Sequence, residues 1–362
     1  MTDESYIKLA LEIAKKGRGN VSPNPLVGCI IVKNNRMIGA GYHEKYGENH
    51  AEINALNNCK KSVEGSTLYV NLEPCSHHGN TPPCVDKIIE NKIKRVVIGT
   101  FDINPLVNGK GVKKLKHAGI EVKVGVNEKE CLELNKFFFK YITKKIPYVS
   151  LKIAQTIDGR IADKYGNSKW ITCIKSRYYV HNLRTYYDAV LIGSNTVKKD
   201  NPKLTVRLTK GRNPKKIILN SKLDLSLNLK LFTVNPGKNL IVISSTESIG
   251  KKRKLKNLQK LGVRVIFVKK DSDGGLCLKR VLNELGKLNI ISVLVEGGSK
   301  IFSSFIRENL FDDIKLFVNP KIIGNGLSSI NNVGRSKIEK ALKLKIANVE
   351  KVGDDVLIEL VK

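Results

Sequence analysis

Four residues within His50–Cys84 have the types and spacing for metal-assisted proton chemistry: His50, Glu52, Cys75 and Cys84, in HAEINALNNCKKSVEGSTLYVNLEPCSHHGNTPPC. One imidazole and two thiolates fill three positions of a zinc ion and leave the fourth for water, as a catalytic site requires. Two thiolates and a neutral imidazole cancel the charge of the ion, so its water still ionises near neutrality. Glu52, two residues from the histidine, is placed to move protons without being a ligand. A closed structural site would need a fourth ligand, for which His77 and His78 are the spare candidates.

Period and punctuation indicate the elements that must hold these residues. Met1–Gly19 carries Ile7, Leu11 and Ala14 on one helical face and lacks the apolar centre of an export signal. Val27–Val32 and Met37–Tyr42 read as strands about an Asn34-Asn35 turn. Ala51–Asn58 reads as a helix that begins beside His50 and Glu52. Thr67–Leu72 is a strand, and Val85–Asn91 a helix started by Pro82-Pro83. Cys84 then sits at a helix N-terminus, where the dipole favours a thiolate. Val96–Gly99, Lys110–Ala118 and Ile120–Val124 continue the alternation of strand and helix. Residues 127–145 read as one helix, with Phe137, Phe138, Phe139 and Tyr141 packing between domains. Pro147 breaks the pattern, so a boundary is expected between 145 and 146.

Beyond it, strands at 149–154, 189–193, 217–220, 240–244, 263–268, 291–295 and 313–318 are interleaved with helices at 175–187, 277–287 and 300–309, and two more strands follow. That is an α/β pattern. No G-x-G-x-x-G follows a strand and no P-loop is present, which leaves a Rossmann site and a nucleotide triphosphatase without support. Gly297-Gly298 before a helix is a weak phosphate-cradle signal.

A chain of 362 residues suits two domains, and 41% hydrophobic with 27% charged residues is ordinary for a folded protein. No apolar run approaches a membrane span. The net charge, 64 − 33 = +31, raises nucleic-acid binding. Only 13 of the 64 basic residues are Arg, however, and the Lys are scattered, KKRK at 251–254 being the densest run. A solvated surface that favours an anionic, phosphorylated small molecule is the preferred reading, with no nucleic acid and no membrane as partner. Of seven Cys, Cys29, Cys59, Cys131, Cys173 and Cys277 read as small buried residues, in keeping with a reducing cytoplasm.

His-x-Glu with Pro-Cys is the signature of zinc deaminases. HAE, EPCSHHGNTPPC and SPNPLVG resemble the cytidine-deaminase-like domain of the bifunctional riboflavin-biosynthesis deaminase/reductase (RibD) family. The eight residues between Cys75 and Cys84 set the chain apart from nucleic-acid deaminases with Pro-Cys-x-x-Cys. LKIAQTIDGRIA, SKWIT, LRTYYDAVLIGSNTVKKDNPKLTVR and VEGGSKIFSSFI resemble the reductase half of the same family. The resemblance implies a three-layer α/β/α deaminase domain over 1–145 and a dihydrofolate-reductase-like α/β domain over 146–362. It implies zinc on His50, Cys75 and Cys84, with Glu52 as proton shuttle and Asn24, His43 and His77 as substrate contacts. Asp102, Asn104 and Pro105 would lie near the substrate mouth.

In the second half the resemblance implies NADPH contacts at Ala154, Trp170, Thr196, Asp200, Ser221 and Gly298 to Ser304, a run of Gly298, Ser299, Lys300, Ile301, Phe302, Ser303 and Ser304. It implies substrate contacts at Ser168, Arg184, Leu204, Arg207 and Glu296, with Lys152 a catalytic candidate on a strand. The two Arg suit a phosphate monoester. Asn201, Cys173 and Asn220 depart from the family's usual Asp, Ser and Asp. A homo-oligomer is expected. Two rival readings stand beside this one: a deaminase with an inert or regulatory second half, and a nucleic-acid-binding protein on a retired deaminase scaffold.

Overall fold

In the computed structural model, which describes residues 1–362 except 77–81, 105–106 and 235, the chain divides into two units, Met1–Lys145 and Ile146–Lys362. In the first unit, strands β1 (Gly28–Lys33), β2 (Arg36–Tyr42), β3 (Thr67–Leu72), β4 (Arg95–Thr100) and β5 (Glu121–Val124) form a sheet of order β2-β1-β3-β4-β5. The β1–β2 and β1–β3 pairs are antiparallel and the remaining pairs parallel. Successive residues of β1 point to opposite faces, so both faces of this sheet bury apolar side chains. One face takes Tyr6, Ile7 and Ala10 of helix α1 (Asp3–Ala14) against Ile30 and Tyr69. The other takes Ala55 of α2 (Ala51–Asn57), Ile88 of α3 (Cys84–Glu90) and Leu115 of α4 (Lys110–His117) against Ile31, Val70 and Ile98. This is a three-layer α/β/α sandwich.

The helix expected over 127–145 is two, α5 (Glu128–Leu134) and α6 (Lys136–Lys144), broken at Asn135. The Asn135 side chain bonds the backbone of Leu26 at both ends, 2.7 Å from its N and 2.9 Å from its O. Asn71 also donates to Leu26 O at 2.9 Å and accepts from Gly28 N at 2.8 Å. Two buried amides thus pin the segment that enters β1, and the break in the helix follows from that task. Phe138 and Phe139 are buried against Leu72, with Val27 and Ile142, in the same unit.

The second unit is built on strands β6 (Tyr148–Thr156), β7 (Arg160–Asp163), β8 (Ala189–Gly193), β9 (Lys215–Leu219), β10 (Leu240–Ser245), β11 (Arg264–Val268), β12 (Ser292–Glu296), β13 (Asp313–Asn319), β14 (Gly326–Ser328), β15 (Lys345–Val352) and β16 (Asp355–Val361). Its helices are α7 (Ile174–Tyr186), α8 (Ser194–Asp200), α9 (Lys230–Thr233), α10 (Lys252–Lys260), α11 (Leu278–Lys287) and α12 (Ser299–Arg307). Nine strands form one sheet, β11-β10-β9-β8-β12-β6-β13-β16-β15, parallel from β11 to β13 and antiparallel at the β16–β15 edge. Near-continuous runs such as Ala189–Gly193 are buried throughout, as a sheet covered on both faces requires. β7 and β14 form a separate antiparallel pair that the sequence pattern did not signal. No helix among the described residues is long and apolar enough to cross a membrane.

Close approach sets the position of α1. A Cβ on Gly28 would lie 2.1 Å from Ala10 O and 2.9 Å from Ala14 N, both backbone atoms. Gly28→Ala is therefore expected to push α1 off the sheet and cost about 1–3 kcal/mol, read as a lower calorimetric midpoint for the first unit; an unchanged midpoint would contradict the packing.

Candidate metal centre and cofactor cleft

His50 caps the start of α2 with extended backbone, Cys75 follows β3 by three residues, and Cys84 is the first residue of α3. His50 Nδ1 lies 3.5 Å from Cys75 Sγ and 3.3 Å from Cys84 Sγ. Cys84 N donates to Cys75 Sγ at 3.3 Å, and Val85 N donates to Cys75 O at 3.2 Å. The three donor atoms fall within 4.8 Å of one another, the separations expected around one tetrahedral ion, where such atoms stand about 3.6–3.8 Å apart. The donor set therefore fits zinc. The Cys84 thiol, aided by His50 against the opposing effect of burial, holds Cys75 down at about 4, while Cys84 is pushed up by Cys75 and by burial. Both thiols must be deprotonated to bind a cation, so binding there would release their protons.

Glu52 is buried, and burial pushes its carboxyl up against the pull of His50. Asn24 Nδ2 lies 3.2 Å from His43 Nε2, and His43 Nδ1 lies 2.9 Å from Asn49 O. The carbonyl fixes the proton of His43 on Nδ1, so Nε2 accepts from Asn24. Both nitrogens of His43 are thereby spent on protein partners, and its ring stands 5.4 Å from that of His50, edge on. His43 thus links Asn24 to the His50 ring. His77, the spare ligand His78 and Pro105 lie outside the described residues.

Glu73 was missed. It is buried two residues before Cys75, and its carboxylate accepts from Asp102 N (3.2 Å), Gly109 N (2.9 Å) and Val112 N (3.1 Å). It ties the ligand strand to the 102–109 loop and to the first turn of α4. Burial raises the neighbouring Asp102 to about 6. An acid directly before Pro-Cys was the available signal.

The second unit holds a cleft of about 1250 Å³ at the carboxyl ends of β8, β9 and β12, where α/β sheets place ligands. Glu296 ends β12, and Lys152 is its cross-strand neighbour on β6. Arg184 on α7 grips Glu296 with two bonds, Nε–Oε1 at 2.6 Å and Nη2–Oε2 at 2.7 Å, and donates from Nη1 to Thr205 O at 3.2 Å. Three of its five N–H groups are thus spent on protein acceptors. Among the described residues the Arg207 guanidinium bonds Thr205, through Nη1, and the residue remains exposed. Burial pushes the Lys152 ammonium down, against the pull of Glu296.

Ala154, Ser168, Trp170, Thr196, Asp200, Leu204 and Ser221 all line this cleft. So do Gly298, Ser299, Lys300, Ile301 and Ser304. Phe302 reaches it too, although its side chain is buried in the core. Ser303 does not: it is buried, and its Oγ accepts from Asn331 N at 2.9 Å, because the helical period turns it away from the residues on either side. The cleft exceeds the volume usual for one small ligand. The amides at the start of α12 and Lys198, Lys199, Lys222 and Lys300 on its walls suit a phosphate-rich dinucleotide.

The three departures have local accounts. Asn201, at φ 41°, accepts from Lys230 N at 2.7 Å and so caps α9. Asn220 donates to Asp224 Oδ1 at 2.8 Å and accepts from Asp224 N at 3.0 Å, a pairing that a second carboxylate at 220 would oppose. Cys173 Sγ lies 3.2 Å from Val352 O, and its N donates to Asp355 Oδ2 at 2.9 Å.

Two family models match the chain: the cytidine and deoxycytidylate deaminase zinc-binding region over residues 1–100 and the RibD C-terminal domain over residues 147–358. The chain is 47% identical over 357 residues to the riboflavin biosynthesis protein RibD of Aquifex aeolicus, covering 98% of this chain and 97% of the relative. It is similar to the solved structure of a diaminohydroxyphosphoribosylaminopyrimidine deaminase/5-amino-6-(5-phosphoribosylamino)uracil reductase from Thermotoga maritima, with TM-score 0.88 and 43% identity over 99% of this chain and 98% of that one. A RibD structure from Acinetobacter baumannii matches with TM-score 0.87 and 35% identity over 99% and 98% of the two chains.

Arg184 and Glu296 side chains are 11% and 13% exposed, so each neutralises a charge with little water around it. Arg184→Met is expected to destabilise the second unit by about 3–5 kcal/mol, and Arg184→Met with Glu296→Leu to recover most of that. Urea denaturation of the three proteins measures both, and a double variant no more stable than the single one would count against the pair.

Proposed function

The chain belongs to the RibD family, and on that premise we propose how its two units divide the work of a bifunctional riboflavin-biosynthesis enzyme. Residues 1–145 carry a zinc-dependent hydrolytic deamination of 2,5-diamino-6-(5-phosphoribosylamino)pyrimidin-4(3H)-one. Residues 146–362 carry an NADPH-dependent reduction of the ribosyl group to a ribityl chain. The observation that carries the first assignment is the His50–Cys75–Cys84 donor set with buried Glu52 beside it.

Zinc bound there supplies an electrophile and an ionisable water. The protein supplies the proton traffic. Glu52, whose carboxyl burial keeps ready to hold a proton, would pass the first proton of that water to the ring nitrogen and the second, from the new hydroxyl group, to the amino group, which leaves as ammonia. Asn24, held by His43, orients the pyrimidine, and His77 is assigned to the ribosyl phosphate by family likeness alone.

NADPH bound in the second cleft supplies the hydride. Gly298, Ser299, Lys300 and Ser304 hold its phosphates at the start of α12, with Ala154, Trp170, Thr196, Asp200, Ser221, Ile301 and Phe302 along the remaining walls. Lys152, its ammonium weakened by burial, protonates the ring oxygen as the sugar opens. Glu296, fixed by Arg184, orients the sugar, and Arg207 takes the phosphate with Ser168 and the backbone of Leu204.

A homo-oligomer fits the same reading. β15 is an edge strand paired only with β16 among the described residues, and it exposes Ile346 and Val349. A cytoplasmic setting keeps both ligand thiols reduced, and a small phosphorylated substrate gains from the +31 charge without any nucleic-acid partner.

Glu52→Gln tests the mechanism because it leaves all three ligands in place. Zinc content is expected to stay at the wild-type level while ammonia release falls by about 10²-fold or more. Oxidation of NADPH by the deaminated substrate is expected to continue unchanged. Ammonia release at the wild-type rate would overturn the role of Glu52, and failure of the wild type to oxidise NADPH would leave the second unit an inert module.

A further inference from the structure

On α7, Arg177, His181 and Arg184 recur at the spacing of one helical face, and all three line the cleft of the second unit. Arg177 stacks 4.0 Å over the Trp170 ring and Arg184 holds Glu296. The mechanism above has no use for the residue between them. His181 is 6% exposed. Its Nδ1 accepts from Arg207 N at 2.9 Å and from Leu208 N at 3.4 Å. A ring nitrogen that accepts two amides carries no proton, so the ring is neutral with its hydrogen on Nε2.

The charged groups that face it keep it so. Burial, then Arg184 and Arg207, and to a smaller degree Arg177, hold its protonation down to about 4, with Glu296 opposing. Protonation would turn the acceptor into a donor pointed at two amides.

The segment so gripped has neither helix nor strand to hold it. Residues 201–214 form no regular element, and Leu204 stands at φ 52°, a left-handed conformation unusual for Leu. The ends of this segment are tied by Asn201, which accepts from Lys230 N, and by Arg212, which pairs with Asp188. Between them, besides His181, Arg184 Nη1 donates to Thr205 O, Arg207 Nη1 to Thr205 Oγ1, and Val206 N to Asn213 Oδ1 at 2.7 Å. The backbone of Arg207 itself is held at its N–H by the imidazole.

We propose that His181 is a positioning residue for the reductase: it fixes the backbone of Arg207 and Leu208 so that the Arg207 guanidinium stands where the phosphate monoester of the substrate must dock. The proposal rests on the reductase reading of the second unit. It assigns to His181 no contact with the reacting carbon, so its loss acts on substrate capture and leaves hydride transfer alone.

His181→Asn, His181→Gln and His181→Ala in the full chain separate the possibilities, because an Asn amide oxygen reaches the place of Nδ1 and a Gln amide does not. With NADPH and the deaminated substrate, His181→Gln and His181→Ala are expected to raise KM for the phosphorylated substrate about tenfold, with kcat and KM for NADPH within about twofold of wild type. His181→Asn is expected to restore KM to within about threefold. Amide hydrogen exchange, measured with neither substrate nor cofactor, is expected to lose protection at Arg207 and Leu208 in the Gln and Ala variants and keep it in the Asn variant.

Equal KM in all three variants, a fall in kcat without a rise in KM, or unchanged exchange at the two amides would each overturn the proposal. If the Ala variant does not fold, the Asn and Gln pair decides, with ammonia release by the first unit as the control for intact protein. If the wild type oxidises no NADPH, the reductase reading fails while exchange at the two amides still tests the grip of His181.

Discussion

A carboxylate taken out of water has to be matched where it stands, and each unit is arranged around one that is. In the first, Glu73 gathers three backbone amides from the 102–109 loop and the start of α4. Because Glu73 is two residues from Cys75, the loop, the helix and the metal ligand share one fixed point. In the second, Glu296 meets Arg184 through two parallel bonds, and Arg184 reaches on to Thr205. β12, α7 and the 201–214 segment are therefore registered against each other at the mouth of the cleft. An unmatched carboxylate at either place would cost more than the local packing returns.

The two sites solve different chemical problems with this scaffolding. The first gathers three donor atoms at the starts of two helices and just past the end of a strand, and so makes a small three-ligand site beside a buried acid. The second is an open cleft bounded by strand ends and the start of α12, with cations spread along its walls. In both, one polar side chain is held by another: Asn24 by His43, Glu296 by Arg184.

Most of the strands were legible in the amino-acid order, because runs such as Thr67–Leu72 and Ala189–Gly193 are apolar and bounded by turn residues. The cluster of His50, Cys75 and Cys84 was legible from residue type and spacing. What was hidden depends on contacts distant in sequence. The helix break at Asn135 answers to Leu26, more than a hundred residues away. β7 and β14 are short strands that exist only as a pair. Ser303 falls inside a run carried over whole from family likeness, and only the helical period shows that it faces the core. Glu73 and His181 spend their side chains on backbone amides, which leave no mark on composition or charge.

The position of Trp170 has an optical consequence. It is the single tryptophan of the chain, 61% exposed on the wall of the second cleft with the Arg177 guanidinium stacked on its ring. The first unit contains no indole at all. Fluorescence excited at the red edge of protein absorption therefore comes from one place, and its colour and intensity report the filling of that cleft without labelling. Since reduced nicotinamide absorbs where indole emits, quenching of this one residue gives a binding signal for that cleft.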